Sequence, residues 1–181
     1  SLLNRDPDGS LRTADAFKAA NAATYAELWM EILELPFPAD REALRPLLTR
    51  MPAERTAARS WARSRGLQAA ARPIGLNPGA GRRWPAKQLS ARKSAELADA
   101  LHAAFGRPVL LFGGPEEGER NRRILKLARS PVVDAGTDRG LKEFAALVSL
   151  CEAVVTTDSL AFHVATAMGR PVVGLVGPTS A

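Results

Sequence analysis

The sequence predicts an α/β protein with a Rossmann-like parallel sheet over residues 73–181. Three observations lead to this prediction. Five short apolar runs follow one another, each close to a Pro or Gly, and helical stretches separate these runs. The runs are also continuously rich in Val and Leu, which is typical of strands buried on both faces. Strands that alternate with helices form a parallel sheet through right-handed crossovers. The predicted strands are 74–77, 109–112, 132–134, 153–156 and 172–176, and the predicted helices lie near 89–105, 116–129, 140–150 and 159–169.

Residues 1–72 are predicted to form a separate helical connecting segment. A helix is expected over about 13–35, since apolar residues recur there at helical spacing and Thr13 suits its N-cap. Pro36 and Pro38 are expected to end it. A short helix is predicted to follow over residues 41–50.

A basic stripe is predicted on the next helix, which closes near Gly66. Arg55, Arg59 and Arg63 follow one another at four-residue intervals, so they share a helix face. Residues 41–72 hold eight Arg against two Glu. The interpretations are a solvated face, nucleic acid and anionic lipid. Nucleic acid is not expected as a partner, because it would leave the motifs of the strand-end loops unexplained.

Composition excludes an intrinsically disordered, a collagen-like or a low-complexity chain. The chain has 181 residues, 25 Lys and Arg against 19 Asp and Glu, and 46% hydrophobic residues, which is ordinary for a globular protein. Its one cysteine, Cys151, excludes an internal disulfide and favours a reducing, cytoplasmic location. Neither a metal-ligand spacing nor a catalytic triad is present in the sequence, so no metal and no cofactor are expected.

The loop after the first predicted strand has the composition of a phosphate-binding loop. Gly79 permits close backbone approach to a ligand, and Lys87 with two neighbouring arginines supplies positive charge. Trp84 stands where the dinucleotide fingerprint needs its third Gly, so that fingerprint fails. The P-loop fails as well, because no Gly-Lys-Ser/Thr is present. Trp84 itself is read either as a packing residue or as a surface on which a ligand stacks.

Three later loops carry further candidates. Glu116 follows two glycines and either accepts hydrogen bonds from ribose hydroxyls or compensates a helix dipole. Asp158 and Ser159 stand at the start of a helix, where free N–H groups favour a phosphate, and His163 lies one turn later on the same face. The alternative makes Asp158 a simple N-cap and His163 a partly buried residue. The last loop, with Thr179, is either a turn or part of the same site.

These motifs together resemble the C-terminal domain of the ADP-heptose:lipopolysaccharide heptosyltransferases, glycosyltransferase family 9. The resemblance covers roughly residues 73–181, with its motifs in order at predicted strand ends. The motifs are Asn77-Pro78-Gly79-Ala80 with Trp84-Pro85-Ala86-Lys87, Gly113-Gly114-Pro115-Glu116, Asp158-Ser159 with His163, Ala165 and Ala167, Gly169-Arg170-Pro171-Val172-Val173, and Gly177-Pro178-Thr179.

The resemblance implies half of a GT-B enzyme, with the active site between two Rossmann-like domains. Lys87 would contact the donor diphosphate, Glu116 the ribose and Asp158 the sugar hydroxyls. The Ser159 N–H and His163 would hold the phosphates, with Gly79 and Thr179 beside them. The implied reaction is inverting, metal-independent transfer of heptose from ADP-heptose to a lipopolysaccharide core. It would take place in the cytoplasm, at the inner face of the membrane.

The chain departs from the family pattern in two ways. Leu160 stands where the family has Gly, which raises the alternative of a non-catalytic domain that binds a nucleotide sugar. The family's general base belongs to the N-terminal domain, so no catalytic residue is expected in this chain. The 181 residues are therefore expected to be a fragment that does not complete the transfer alone.

Overall fold

The computed structural model describes residues 22–44, 46–48, 51–68 and 70–177. Two compact units are present, Ser1–Arg45 and Pro46–Ala181. In the first unit, α1 spans Tyr25–Ile32 behind a capping box formed by Thr24 and Glu27. A single 3-10 turn, Arg41–Leu44, stands where a short helix was predicted over 41–50.

The helix predicted over 13–35 is wrong in its bounds. Its expected start at Thr13 lies outside the described residues, and residues 22–24 are not helical. Helix α1 ends at Ile32, before Pro36 is reached, and Glu34 then takes a left-handed φ of 51°. The chain therefore leaves the helix through local backbone geometry, without a proline as the breaker.

Helix α2, Pro52–Ser64, belongs to the second unit. It begins with Pro at its first position, where a missing N–H costs nothing, and Gly66 follows its end with a φ of 74°. The predicted helix that closes near Gly66 is thus confirmed. Ala58 and Ala62 on its inner face are buried in the core that lies against the sheet. The boundary at 72/73 in the longer protein stays a prediction.

The second unit is built on a five-stranded parallel sheet in the order β3-β2-β1-β4-β5, which confirms the predicted α/β class. The strands are β1 Ile74–Asn77, β2 Val109–Leu111, β3 Val132–Asp134, β4 Ala153–Thr157 and β5 Val172–Leu175. The helices between them are α3 Ala91–Phe105, α4 Gly118–Leu127, α5 Leu141–Val148 and α6 Leu160–Ala167.

Two apolar clusters form the core of this unit, as expected for a sheet covered on both faces. One cluster includes Leu110, Phe112 and Val154, together with residues of α2 and α5. The other includes Leu76 and Leu111, together with residues of α3 and α4.

The strand order decides where a ligand can bind. The chain winds from β1 outward through β2 to β3, then returns to place β4 on the other side of β1. Asn77, at the end of β1, is therefore in register with Thr156 near the end of β4. Two crossovers leave in opposite directions at this point, and ligands of doubly wound sheets bind in the resulting crevice.

Candidate functional site

A cleft of about 650 Å³ opens at the carboxyl ends of β1 and β4. The loops after β1, β2, β3 and β4 all contribute to its wall. Most of the residues predicted from the sequence line it, namely Gly79, Lys87, Glu116, Asp158, Ser159 and His163. Thr179 lies outside the described residues.

An ion pair between Lys87 and Asp158 joins two of these loops. Lys87 ends a 3-10 turn, Pro85–Lys87, and its Nζ donates to Asp158 Oδ2 at 2.6 Å. The Lys87 side chain is 11% exposed, and its ammonium group also lies 5.2 Å from the centroid of the Trp84 ring. The pair places one fixed positive charge and one carboxylate, 43% exposed, in the same cleft.

The N-terminus of α6 forms another part of the wall. Ser159 is the N-cap residue, but its side chain makes no capping hydrogen bond. Its Oγ instead accepts from Asn77 Nδ2 at 3.1 Å and donates to the Thr157 carbonyl oxygen at 3.2 Å. No side chain of the described residues accepts from the first helical N–H groups, which suits an anion. The alternative that made Asp158 a simple N-cap is therefore wrong, because Ser159 occupies that position.

Buried polar side chains fix the backbone around Gly79. The Gly79 carbonyl oxygen accepts hydrogen bonds from Asn77 Nδ2 and from Thr157 Oγ1. Asn77 Nδ2 also reaches Thr156 Oγ1 at 3.2 Å. These contacts hold the turn after β1 against the end of β4, so the backbone of the cleft is set before a ligand arrives.

Glu117 is a structural residue of the site that the sequence analysis missed. Its buried carboxylate accepts the Gly114 N–H at 2.7 Å and the Gly81 N–H at 3.2 Å, and thereby joins the loops after β1 and β2. Arg120 approaches it to 3.0 Å in an ion pair that lacks the alignment of a hydrogen bond. A Cβ on Gly79 would lie 1.9 Å from Glu117 Oε1, so any larger residue there would force the carboxylate to move.

The neighbouring Glu116 is oriented by the first loop. Its Oε2 accepts the Arg82 N–H at 2.9 Å, and its Oε1 lies 3.6 Å from the Arg82 guanidinium. The sequence alone could not separate the two adjacent glutamates, since both follow the same Gly-Gly-Pro turn. Burial separates them, because Glu117 is 8% exposed and Glu116 is 45% exposed.

The remaining predicted residues are exposed in the cleft. His163 is exposed and lines it, with its ring in edge contact with that of Phe162 at 5.8 Å. Trp84 is 48% exposed, so it is not a core residue, and Leu160 is 62% exposed at the start of α6. Leu141 and Phe144 give the cleft an apolar side beneath the loop after β3.

The chemistry of this arrangement follows from its parts. An ammonium group and an uncapped helix N-terminus attract phosphate oxygens, and carboxylates accept hydrogen bonds from hydroxyl groups. The apolar wall offers a face for a flat ring. Within the part of the chain that the structure describes, no group of three His, Cys, Asp or Glu side chains has a metal-binding arrangement. No helix of that part is long and apolar enough to span a membrane.

Comparison with known proteins gives a consistent result. A lipooligosaccharide heptosyltransferase 2 of Haemophilus influenzae is 35% identical over 161 residues, which are 86% of this chain and 46% of that protein. A glycosyltransferase family 9 crystal structure from Veillonella parvula superposes with a TM-score of 0.76 at 26% identity, covering 88% of this chain and 46% of that one. The E. coli ADP-heptose lps heptosyltransferase II gives 0.65 at 31% identity, with 82% and 43% covered.

The chain thus spans about half the length of the relatives that it matches. The sequence profile of glycosyltransferase family 9 (heptosyltransferase) matches residues 11–181, nearly the whole chain. The resemblance seen in the strand-end motifs is confirmed, and the chain belongs to glycosyltransferase family 9, the heptosyltransferases.

Proposed function

We propose that the protein containing this chain transfers heptose from ADP-heptose to a lipopolysaccharide core acceptor, with inversion and without a metal ion. The observation that carries the proposal is the meeting of Lys87, Asp158 and the uncapped start of α6 in one cleft. A diphosphate needs positive charge and N–H donors, and a sugar needs a carboxylate acceptor. The relatives named above support heptose and ADP as the donor's components.

Each residue that the sequence predicted for the site has a role in this proposal. Lys87 and the N–H of Ser159 bind the diphosphate, and His163 donates to it from one turn further along α6. Glu116 accepts from the ribose hydroxyls, and Asp158 accepts from hydroxyls of the heptose. Gly79 lets the backbone approach the donor, and Thr179 from the last loop completes the site.

The proposed reaction is a displacement at the anomeric carbon. An acceptor hydroxyl oxygen forms the new bond to that carbon while the bond to the diphosphate oxygen breaks, and a general base outside this chain takes the hydroxyl proton. Negative charge grows on the leaving ADP. Donors already in place at Lys87 and the start of α6 stabilise that charge without reorganisation.

The organisation of the longer protein is part of the same proposal. Residues 73–181 form the nucleotide-sugar half of a GT-B enzyme in the cytoplasm, residues 1–72 connect it to the rest, and the other half supplies the acceptor site. The basic stripe makes peripheral contact with anionic lipid, since Arg55, Arg59 and Arg63 are exposed. The family membership favours transfer over the alternative of donor binding alone.

Calorimetry with ADP, UDP and GDP, and with their sugar conjugates, tests the donor site. We expect ADP and ADP-heptose to bind best, and Lys87→Ala and His163→Ala each to weaken binding about tenfold or more, as expected for a lost charge-assisted hydrogen bond. Arg122→Ala is the control, since Arg122 is exposed on α4 and lies outside the cleft lining. Equal affinity for all three nucleotides, or equal losses in the control, would contradict the proposal.

A further inference from the structure

A second, smaller pocket lies at the opposite edge of the sheet, where β1, β4 and β5 begin. It has a volume of about 230 Å³ and is lined by four arginines. We propose that this arginine pocket binds a phosphate group. Its lining consists of Arg55, Arg59, Arg72, Arg170, Ser149, Leu150 and Met168.

Arg72 is the fixed part of the pocket. Its Nε donates to the Leu150 carbonyl at 3.3 Å, and one terminal nitrogen donates to the carbonyls of Ser149 and Cys151 at 3.3 and 3.0 Å. These bonds cap the C-terminal end of α5 and hold the guanidinium plane in one orientation. The other terminal nitrogen lies 3.7 Å from a Glu152 carboxylate oxygen and has no hydrogen-bond partner among the described residues.

Arg170 brings a second charge to the same place from the end of α6. Its Nε donates to the Met168 carbonyl at 3.4 Å, and its terminal nitrogens have no partner among the described residues. Arg72 and Arg170 both lower the pKa of the buried Cys151 thiol, although burial has the larger effect and raises that pKa to about 12. Both positive charges therefore lie close enough to Cys151 to act on the same thiol.

Arg55 and Arg59 close the pocket from α2. Neither side chain forms an ion pair or a hydrogen bond with a residue that the structure describes, although both line the pocket. Glu152 is the one carboxylate in contact with an arginine of the pocket within the described residues. Two helix C-termini add about half a negative charge each. Four guanidinium groups exceed that total, so the pocket keeps a net positive charge.

This excess points to a ligand and not only to helix capping. Arg72 binds the three carbonyls that follow α5 without help from α2, so capping explains neither Arg55 nor Arg59. Guanidinium groups match phosphate oxygens through paired N–H donors, which makes a phosphate the ligand of best fit. A volume of about 230 Å³ is enough for a phosphate with part of its hydration.

The pocket is distinct from the donor cleft, and it divides the basic stripe. The cleft lies at the carboxyl ends of the strands, whereas the arginine pocket lies at their amino ends. Arg55 and Arg59 line the pocket, but Arg63 does not. Arg63 instead donates to Ser60 Oγ at 3.1 Å on the same helix and lines an adjoining cavity of about 780 Å³, which shares Arg59 and Arg72 with the pocket. A simple charged stripe would use all three arginines equally, while the pocket uses two.

Site-resolved NMR with inorganic phosphate tests the pocket at physiological ionic strength. We expect saturable shifts of the Ser149, Leu150 and Arg170 amides, which report on the pocket, independent of any shifts of Ser159 and Leu160 in the cleft. Arg55→Gln combined with Arg59→Gln is expected to weaken the pocket response at least about tenfold. Arg63→Gln is the matched control from the same helix. Because Arg63 lines only the adjoining cavity, this variant is expected to weaken the response much less than the double variant does.

Vesicles separate a lipid phosphate from a soluble one. Sedimentation is measured with phosphatidylcholine vesicles, with and without phosphatidylglycerol. If the phosphate belongs to a lipid, the double variant loses sedimentation with the anionic vesicles and Arg63→Gln does not. If it belongs to a soluble molecule, the pocket amides respond to inorganic phosphate and the vesicles sediment no protein. Unshifted pocket amides together with equal vesicle binding by the double variant and by Arg63→Gln would overturn the proposal.

Discussion

Lys87 Nζ and Asp158 Oδ2 lie 2.6 Å apart, although 71 positions separate the two residues in the sequence. The contact joins the loop after β1 to the end of β4 across the switch point of the sheet. In the proposed function one partner binds diphosphate and the other binds sugar. The donor would therefore have to be recognised by two groups that already neutralise one another.

Asp158→Asn separates these two roles. The substitution keeps the shape of the side chain but removes its charge, so Lys87 no longer has an anionic partner. We expect ADP to bind as well as before or more tightly, because its phosphates no longer compete with a carboxylate for Lys87. The ratio of the affinity for ADP-heptose to the affinity for ADP is expected to fall about tenfold, because a neutral amide accepts hydrogen bonds from hydroxyl groups more weakly than a carboxylate does. Calorimetry with both ligands measures the difference.

A double-mutant cycle measures how much the ion pair itself contributes to stability. Lys87→Ala and Asp158→Ala are combined, and the ion pair is expected to contribute about 1 kcal/mol to the free energy of unfolding, as for a partly exposed pair. The expectation for Asp158→Asn would be wrong if ADP and ADP-heptose lost affinity by the same factor.

Local sequence patterns predicted much of the fold, because the strands are short Val/Leu runs bounded by turn residues. The predicted runs at 132–134 and 74–77 match β3 and β1, and the others differ only at their ends. The pairing of Lys87 with Asp158 and the burial of Glu117 were not predicted. Both depend on which loops meet in space, and no local pattern of residues contains that information.

Glu117→Gln is expected to destabilise the second unit by about 2–4 kcal/mol. The variant leaves Arg120 as a buried charge without its partner, and breaking a buried pair from one side is costly. Urea denaturation at neutral pH measures the loss. The control is Glu119→Gln, because the Glu119–Arg123 pair is about 70% exposed on both sides and is expected to contribute less than about 1 kcal/mol. Equal losses in the two variants would contradict the structural role of Glu117.

Gly79→Ala is expected to displace the Glu117 carboxylate, because the added Cβ would lie 1.9 Å from its Oε1. We expect a loss of about 1–3 kcal/mol in the free energy of unfolding, together with weaker ADP binding. Gly114→Ala is the matched control, since the nearest atom to its Cβ would be 3.8 Å away. The same Cβ would lie 2.3 Å from an Arg120 terminal nitrogen. The Gly79→Ala loss should therefore largely vanish only when Glu117→Ala and Arg120→Ala are combined, and an additive triple variant would refute the clash.

Asp99 makes stability depend on pH at the acid end. Hydrogen bonding by Ser130 holds the pKa of the Asp99 carboxyl below its usual 3.8. The Ser130 and Arg129 N–H groups reach Oδ1 at 2.8 and 2.9 Å. Because the pKa is lower in the folded state, the carboxylate stabilises the protein at pH values above its unfolded pKa. This contribution is lost as the pH falls through the folded pKa. The difference in melting temperature between the protein and Asp99→Asn should thus narrow below about pH 4. A constant difference down to lower pH would be inconsistent with this coupling.

Cys151 is expected to be inert toward thiol reagents while the protein is folded. Burial raises the pKa of its thiol to about 12, so roughly one molecule in ten thousand is a thiolate near pH 8. The side chain is also fully buried. Labelling should therefore follow the opening of the second unit and accelerate with urea in step with the loss of helical signal. Full denaturation should expose one reactive thiol, because the chain has a single cysteine. The pH dependence of stability gives a second check. Because the pKa of the thiol is raised above its unfolded value of about 9.0, the buried thiol stabilises the folded protein fully below that pH, and its contribution declines as the pH rises further. Rapid labelling of the native protein, at the rate of the denatured chain, would show that Cys151 is not buried in solution.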